Sequence, residues 1–176
     1  MTPEERVFAR HAGGGLLLDS NLFLVLLAGL TDSRLFGRFK RISVYSVQDF
    51  EFLMRFVARF SVLLTTPHVL TEVSNLANSL PENTRRDWLE TLAGLLQSGP
   101  VRPNIDERWT SAAQLAGLES FTLFRLTDTA ISQRASEALI LTVDFKLSGY
   151  LRGRGTDILN FRDLRLIERQ LIADLE

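Results

Sequence analysis

Four acidic residues, Asp19, Glu72, Asp128 and Asp144, stand in settings that suggest chemistry. Asp19 directly follows the apolar run Leu16-Leu17-Leu18, and Asp144 follows Leu139-Ile140-Leu141-Thr142-Val143. Glu72 falls early in a helical stretch that opens at Thr66-Pro67, and Asp128 comes one residue after Thr127 at a helix start. Singly, each has an ordinary explanation: aspartate is a favoured N-cap, and Glu72 suits a solvated helix surface. Gathered in a crevice of low dielectric, they would repel one another unless a cation neutralised them. Oxygen donors, in a chain with no cysteine and only two histidines, favour Mg²⁺ or Mn²⁺ over zinc.

The elements that must gather them are read from periodicity. Leu16–Leu18, Ser61–Thr66 and Ala138–Val143 are short continuous apolar runs, as expected of strands buried on both faces, and Asp157–Phe161 reads as a shorter last strand. Helical patterns follow at Leu22–Leu30, Val47–Phe60, Pro67–Leu80 (Val69, Val73, Leu76 and Leu80 forming the buried stripe), Asn83–Leu96, Asp106–Leu118 and Asp128–Glu137. Asp144 opens another helix. Residues 1–15 read as an arm broken by Gly13-Gly14-Gly15. The tail from Arg162 reads as an amphipathic helix carrying Leu164, Ile167, Leu171, Ile172 and Leu175, which either packs on the domain or builds a dimer interface. Strands alternating with helices predict an α/β fold, a Rossmann-like α/β/α sandwich around a parallel sheet. In such a sheet, ligands bind beyond the carboxyl ends of the strands, where Asp19 and Asp144 stand.

Bulk properties narrow the field. A length of 176 residues suits one domain, and 45% hydrophobic residues are enough to fill its core. A net charge of −1 argues against coating nucleic acid by bulk electrostatics, so a polyanion would need a local basic patch or bound cations. The lack of cysteine removes thiolate chemistry and accords with a cytoplasmic location. Leu16–Leu30 is too short and too interrupted by Asp19 and Asn21 to span a membrane, and Glu4 and Glu5 do not suit a signal region. There is no G-x-S-x-G elbow and no P-loop, and the glycine triplet precedes a strand rather than following one.

The stretches LLLDSN (Leu16–Asn21), TTPHVLTEVSNL (Thr65–Leu76), LTDTAI (Leu126–Ile131) and LTVDFKL (Leu141–Leu147) together resemble the successive motifs of PIN-domain ribonucleases. The resemblance runs from about Leu16 to Phe161. It implies that Asp19, Glu72, Asp128 and Asp144 form a catalytic Mg²⁺ or Mn²⁺ site, with Asp19 and Asp128 as direct ligands. Thr142 would orient Asp144, and Asn21 and Asn160 would add polar contacts at the rim. The implied activity is endoribonucleolytic hydrolysis of RNA by metal-activated water, and small stand-alone members are commonly toxins covered by an antitoxin. The longer Thr31–Phe60 region and the helix after Phe161 depart from the commonest pattern.

Weaker signals remain. Arg38, Lys40 and Arg41, with Phe36, Phe39 and Tyr45 interleaved, suit RNA phosphates and stacked bases, or else form a solvated loop. Arg152 and Arg154 are expected near the catalytic edge because they follow the Asp144 helix. His11 and His68 lack a catalytic context, and His68 reads as a surface or capping residue. The alternatives to a toxin are a housekeeping RNA-processing nuclease and a non-catalytic PIN-like module that binds RNA or protein.

Overall fold

A computed structural model describes residues 2–97 and 104–173, with side chains as far as residue 168. The chain opens with α1 (Pro3–His11), β1 (Gly15–Leu18), α2 (Ser20–Thr31) and α3 (Val47–Val57), and continues through β2 (Val62–Thr65), α4 (Pro67–Leu76) and α5 (Glu82–Gln97). Then come β3 (Asn104–Glu107), α6 (Ala112–Ala116), α7 (Glu119–Ser132), β4 (Leu139–Thr142), α8 (Phe145–Gly153), β5 (Ile158–Asn160) and α9 (Phe161–Ala173). The strands pair in parallel in the order β3-β2-β1-β4-β5. Helices flank this sheet, giving the expected Rossmann-like α/β/α architecture.

The apolar strand runs behave as their composition requires. Leu16, Leu17, Leu18, Leu139, Ile140 and Leu141 are all buried, because β1 and β4 occupy the middle of a sheet covered on both faces. From β1 the chain builds outward through β2 and β3, then crosses to β4 and β5 on the other side. The strand order therefore reverses between β1 and β4, and a crevice opens beyond their carboxyl ends.

Three expectations need correction. The arm is largely helical: Thr2 and Glu5 form a reciprocal capping box, and α1 is pinned by Arg10 and His11 to Asp157 at 2.7 and 3.0 Å. Phe8 packs on Phe56 and Phe60, so this segment is part of the domain rather than an appendage. The helix expected at Asp106–Leu118 is instead β3 followed by the short α6. As an edge strand, β3 is paired on one side only and carries Ile105 as its sole apolar residue, so it lacks the signature of its neighbours. The helix expected from Asp128 to Glu137 opens about where expected, just after a break at Arg125 that separates it from a preceding turn begun at Glu119, but it ends at Ser132.

Helix α9 packs on the domain. Leu164 joins the core margin, and Arg165 bonds Asp49 of α3 at 2.7 Å. Arg165 also pairs with Glu168, which in turn binds Arg55 at 2.8 Å. The side chains of Leu171 and Ile172, and the whole of Leu175, lie outside the described residues. Among the described residues no helix is long and apolar enough to cross a membrane.

Candidate functional site

Asp19 is 3% exposed at the carboxyl end of β1, where it caps α2 by accepting the Leu22 N–H on Oδ1 at 2.8 Å. Its Oδ2 accepts the Thr142 hydroxyl at 2.6 Å and the Val143 N–H at 2.8 Å, so the carboxylate is fastened across the β1–β4 crevice. Burial nonetheless pushes its pKa above the usual carboxylate range, outweighing those three donors, and the charge of Asp144 adds to the rise.

Asp144 caps α8, accepting the Lys146 and Leu147 N–H groups on Oδ1 at 2.7 and 3.0 Å. Its own N–H donates to Thr142 Oγ1 at 2.9 Å. Thr142 therefore contacts Asp144, as expected, and Asp19 as well. Its hydroxyl orients the Asp19 carboxylate and holds the backbone, not the carboxylate, of Asp144. Glu72, exposed on α4, accepts the Ser20 hydroxyl on Oε2 at 2.7 Å, which ties a helix-borne carboxylate to the residue after Asp19.

Asp128 supplies the most informative electrostatics. Its pKa is pushed up to about 6, first by burial and then by the charges of Asp144, Asp19 and Glu72, with Arg125 pulling the other way. All three other carboxylates are thus felt at one side chain. Asp128 follows a break in α7, where Arg125 adopts φ 63° and ψ −166°. That region is almost confined to glycine and costs about 1–3 kcal/mol for other residues. Arg125→Gly is accordingly expected to stabilise the fold by about 1 kcal/mol in urea titrations, while moving the Asp128 pKa further upward.

The four residues come to one edge, but they do not form a closed ligand shell. Among the described residues, no group of three or more carboxylate or imidazole side chains is drawn together tightly enough to grip a metal ion. The donors suit a hard divalent cation in kind and in charge, and in this arrangement they stand open.

The supporting residues divide. Asn21 is exposed and lines a cleft of about 570 Å³ with Ser20, Arg41, His68, Glu72 and Thr127. Asn160 is not at the rim: it is buried at the end of β5 opposite Thr142, its Oδ1 accepts the Arg162 N–H, and its Nδ2 is without a partner. Arg38, Lys40 and Arg41 are exposed. Phe36 and Phe39 are buried in the core, however, so of the three interleaved rings only the half-buried Tyr45 is open to a base. Arg152 and Arg154 lie at the opposite edge. Helix α8 carries the chain about 13 Å away from Asp144 over its nine residues. There Arg152 pairs with Asp163, and Arg154 with Glu119.

Sequence reasoning alone misses Ser20 and Arg162, and it names Tyr45 only as a ring of the basic cluster. Burial and then the negative charge of Asp19 push the Tyr45 pKa up to about 12, while Arg162 pulls it down. Arg162 is exposed just beyond β5, with its guanidinium 5.6 Å from the ring of Phe145, the residue after Asp144. Its position two residues past a strand's carboxyl end is the one signal that could have found it.

No family model, curated protein or solved structure matches this chain. The likeness to PIN domains therefore rests on the four motifs, and function has to be read from the chemistry of the site.

Proposed function

We propose that this chain is a metal-dependent endoribonuclease that hydrolyses RNA phosphodiester bonds at the crevice between β1 and β4. The observation that supports this most directly is Asp128, half-buried within the field of Asp19, Asp144 and Glu72. A scaffold gains nothing from that mutual repulsion, whereas a cation site needs it. Asp19, Asp128, Asp144 and Glu72 would hold Mg²⁺ or Mn²⁺. When bound, such an ion would supply a positive charge that promotes water attack and offsets charge building on the phosphate. Thr142 holds Asp19 in place and Ser20 holds Glu72. The cations at Arg41 and Arg162 would offset the charge of the flanking phosphates.

The open spacing of the carboxylates favours a second reading, a non-catalytic PIN-like module that binds RNA or protein. One assay separates them. Purified protein is incubated with single-stranded RNA and Mn²⁺ or Mg²⁺ beside an Asp128→Asn variant. Hydrolysis is expected from the wild type and should fall at least about a hundredfold in the variant, the scale on which preorganised charge acts. Equal survival of RNA with both folded proteins rejects the nuclease reading. A toxin role, with an antitoxin peptide over this edge and the protein in the cytoplasm, rests on the motif resemblance and chain size. A short reading frame immediately upstream of the gene would support it over RNA housekeeping.

A further inference from the structure

A second cleft, of about 770 Å³, lies beside the one that contains Glu72, and Arg41 lines both. Its wall carries Arg34, Arg38, Lys40 and Arg41, with Thr84 across from them near the start of α5. Arg34 is committed to Asp32 by an ion pair of 2.9 Å. Arg38, Lys40 and Arg41 are exposed along a turn whose apolar members, Leu35, Phe36, Phe39 and Ile42, are sunk in the core. That burial anchors the turn and presents its cations outward on a fixed surface. On the other flank of the carboxylates, beyond β5, stands Arg162, stacked on Phe145. A third cleft, of about 490 Å³, begins there and is lined by Tyr45, Arg162 and Arg165.

The carboxylate edge is thus bracketed by cations along the line of the strand order. Arg41 and its cleft lie on the β2 side, next to α4, and Arg162 lies on the β5 side. In a chain of net charge −1, this placement is not what average composition provides. We propose that these are the two ends of one anion track. A single-stranded nucleic acid would enter along Arg38, Lys40 and Arg41, cross the carboxylates, and leave over Arg162. This deepens the nuclease reading and rests on it for the identity of the polymer. Because Phe36 and Phe39 are buried, the entry side reads the sugar-phosphate backbone rather than base faces, so binding there is tolerant of sequence.

Fluorescence anisotropy in Ca²⁺, with the probe checked for integrity on a gel, tests the track apart from turnover, so its failure is distinct from failure of the nuclease assay. The probes are labelled oligouridylates of four and twelve nucleotides, titrated across a range of salt concentrations. Every phosphate that a variant no longer neutralises should flatten the plot of log affinity against log salt by about 0.7. For the twelve-nucleotide probe, Arg38→Gln/Lys40→Gln is expected to flatten it by about 1.4, Arg162→Gln by about 0.7, and the triple variant by their sum. The four-nucleotide probe, with fewer phosphates, should bind more weakly and with a shallower salt dependence than the twelve-nucleotide one. Arg59→Gln, beside Gly13 at the amino end of β1, serves as the control and should change nothing. The proposal is overturned if the Arg38→Gln/Lys40→Gln and Arg162→Gln variants bind the long probe as the wild type does. It is equally overturned if duplex RNA binds as tightly as the single strand, or if an acidic polyglutamate peptide binds and RNA does not.

Discussion

Thr142→Val is expected to cost about 2 kcal/mol of folding stability and about 10–100-fold of divalent-dependent RNA hydrolysis, while Thr142→Ser retains most of both. The valine is nearly the same shape, so packing in β4 is preserved. What disappears is a hydroxyl with two duties: donating to Asp19 Oδ2 at 2.6 Å and accepting the Asp144 N–H at 2.9 Å. Removal leaves a part-buried N–H without its acceptor and a buried carboxylate with one donor fewer. Leaving such groups unmet costs more than a hydrogen bond normally contributes. The Asp19 pKa, already raised, should climb further. Chemical denaturation and initial hydrolysis rates measure the two effects separately. A threonine that merely fills space would show neither loss, and serine would then be the worse substitution because it removes the methyl group.

The second large effect is on pH dependence. The Asp128 carboxyl titrates at about 6 in the fold against 3.8 for the ordinary group, and Asp19 is shifted in the same direction. The folded state therefore binds more protons than the unfolded chain between these values. The resulting stability is fully present below about pH 3.8 and is lost as pH rises through about 6. After discounting for the solvent that reaches Asp128, the loss from that residue is about 1–2 kcal/mol. Asp49 and Asp157 are held below the usual range, so their contributions vanish only at lower pH and leave this window clear. Metal-free protein should thus lose thermal stability between about pH 5 and about pH 7.5, measured by scanning fluorimetry. Asp128→Asn should flatten that slope, and millimolar Mn²⁺ should restore stability at the upper end of the range but not at the lower. Identical slopes with and without Asp128, and no response to Mn²⁺, would falsify a cation site at this edge.

Legibility in the sequence follows burial. β1, β2 and β4 are readable because a strand covered on both faces must be apolar throughout, and their boundaries agree within two residues. β3 is not, since Asn104-Ile105-Asp106-Glu107 at a sheet edge imitates the start of a helix. Asp19 and Asp144 are found through helix-capping grammar, which also fixes their bonds. Arg152 and Arg154 are misplaced because proximity along the chain to Asp144 is not proximity in space, and one helix carries them to the far edge. The aromatic rings of the basic turn cannot be sorted into buried and exposed from spacing alone, because a turn has no period. Arg162 escapes notice because its importance depends on β5 lying beside β4, which is a fact of topology rather than of local pattern.

The Thr142 hydroxyl also divides the crevice into parts of unequal stiffness. Asp19 and Asp144 leave adjacent hydrogen-bonded strands and are coupled through a single oxygen, so they move as one body with the sheet. Asp128 and Glu72 ride on α7 and α4, and α7 is interrupted at Arg125, three residues before Asp128. The strand-borne pair is a fixed anvil, and the helices that carry the other two carboxylates are themselves seated in the core through Val69, Val73, Ala130 and Ile131. Gathering the shell around a cation would then fall to side-chain rotation at Glu72 and Asp128 rather than to travel of the helices.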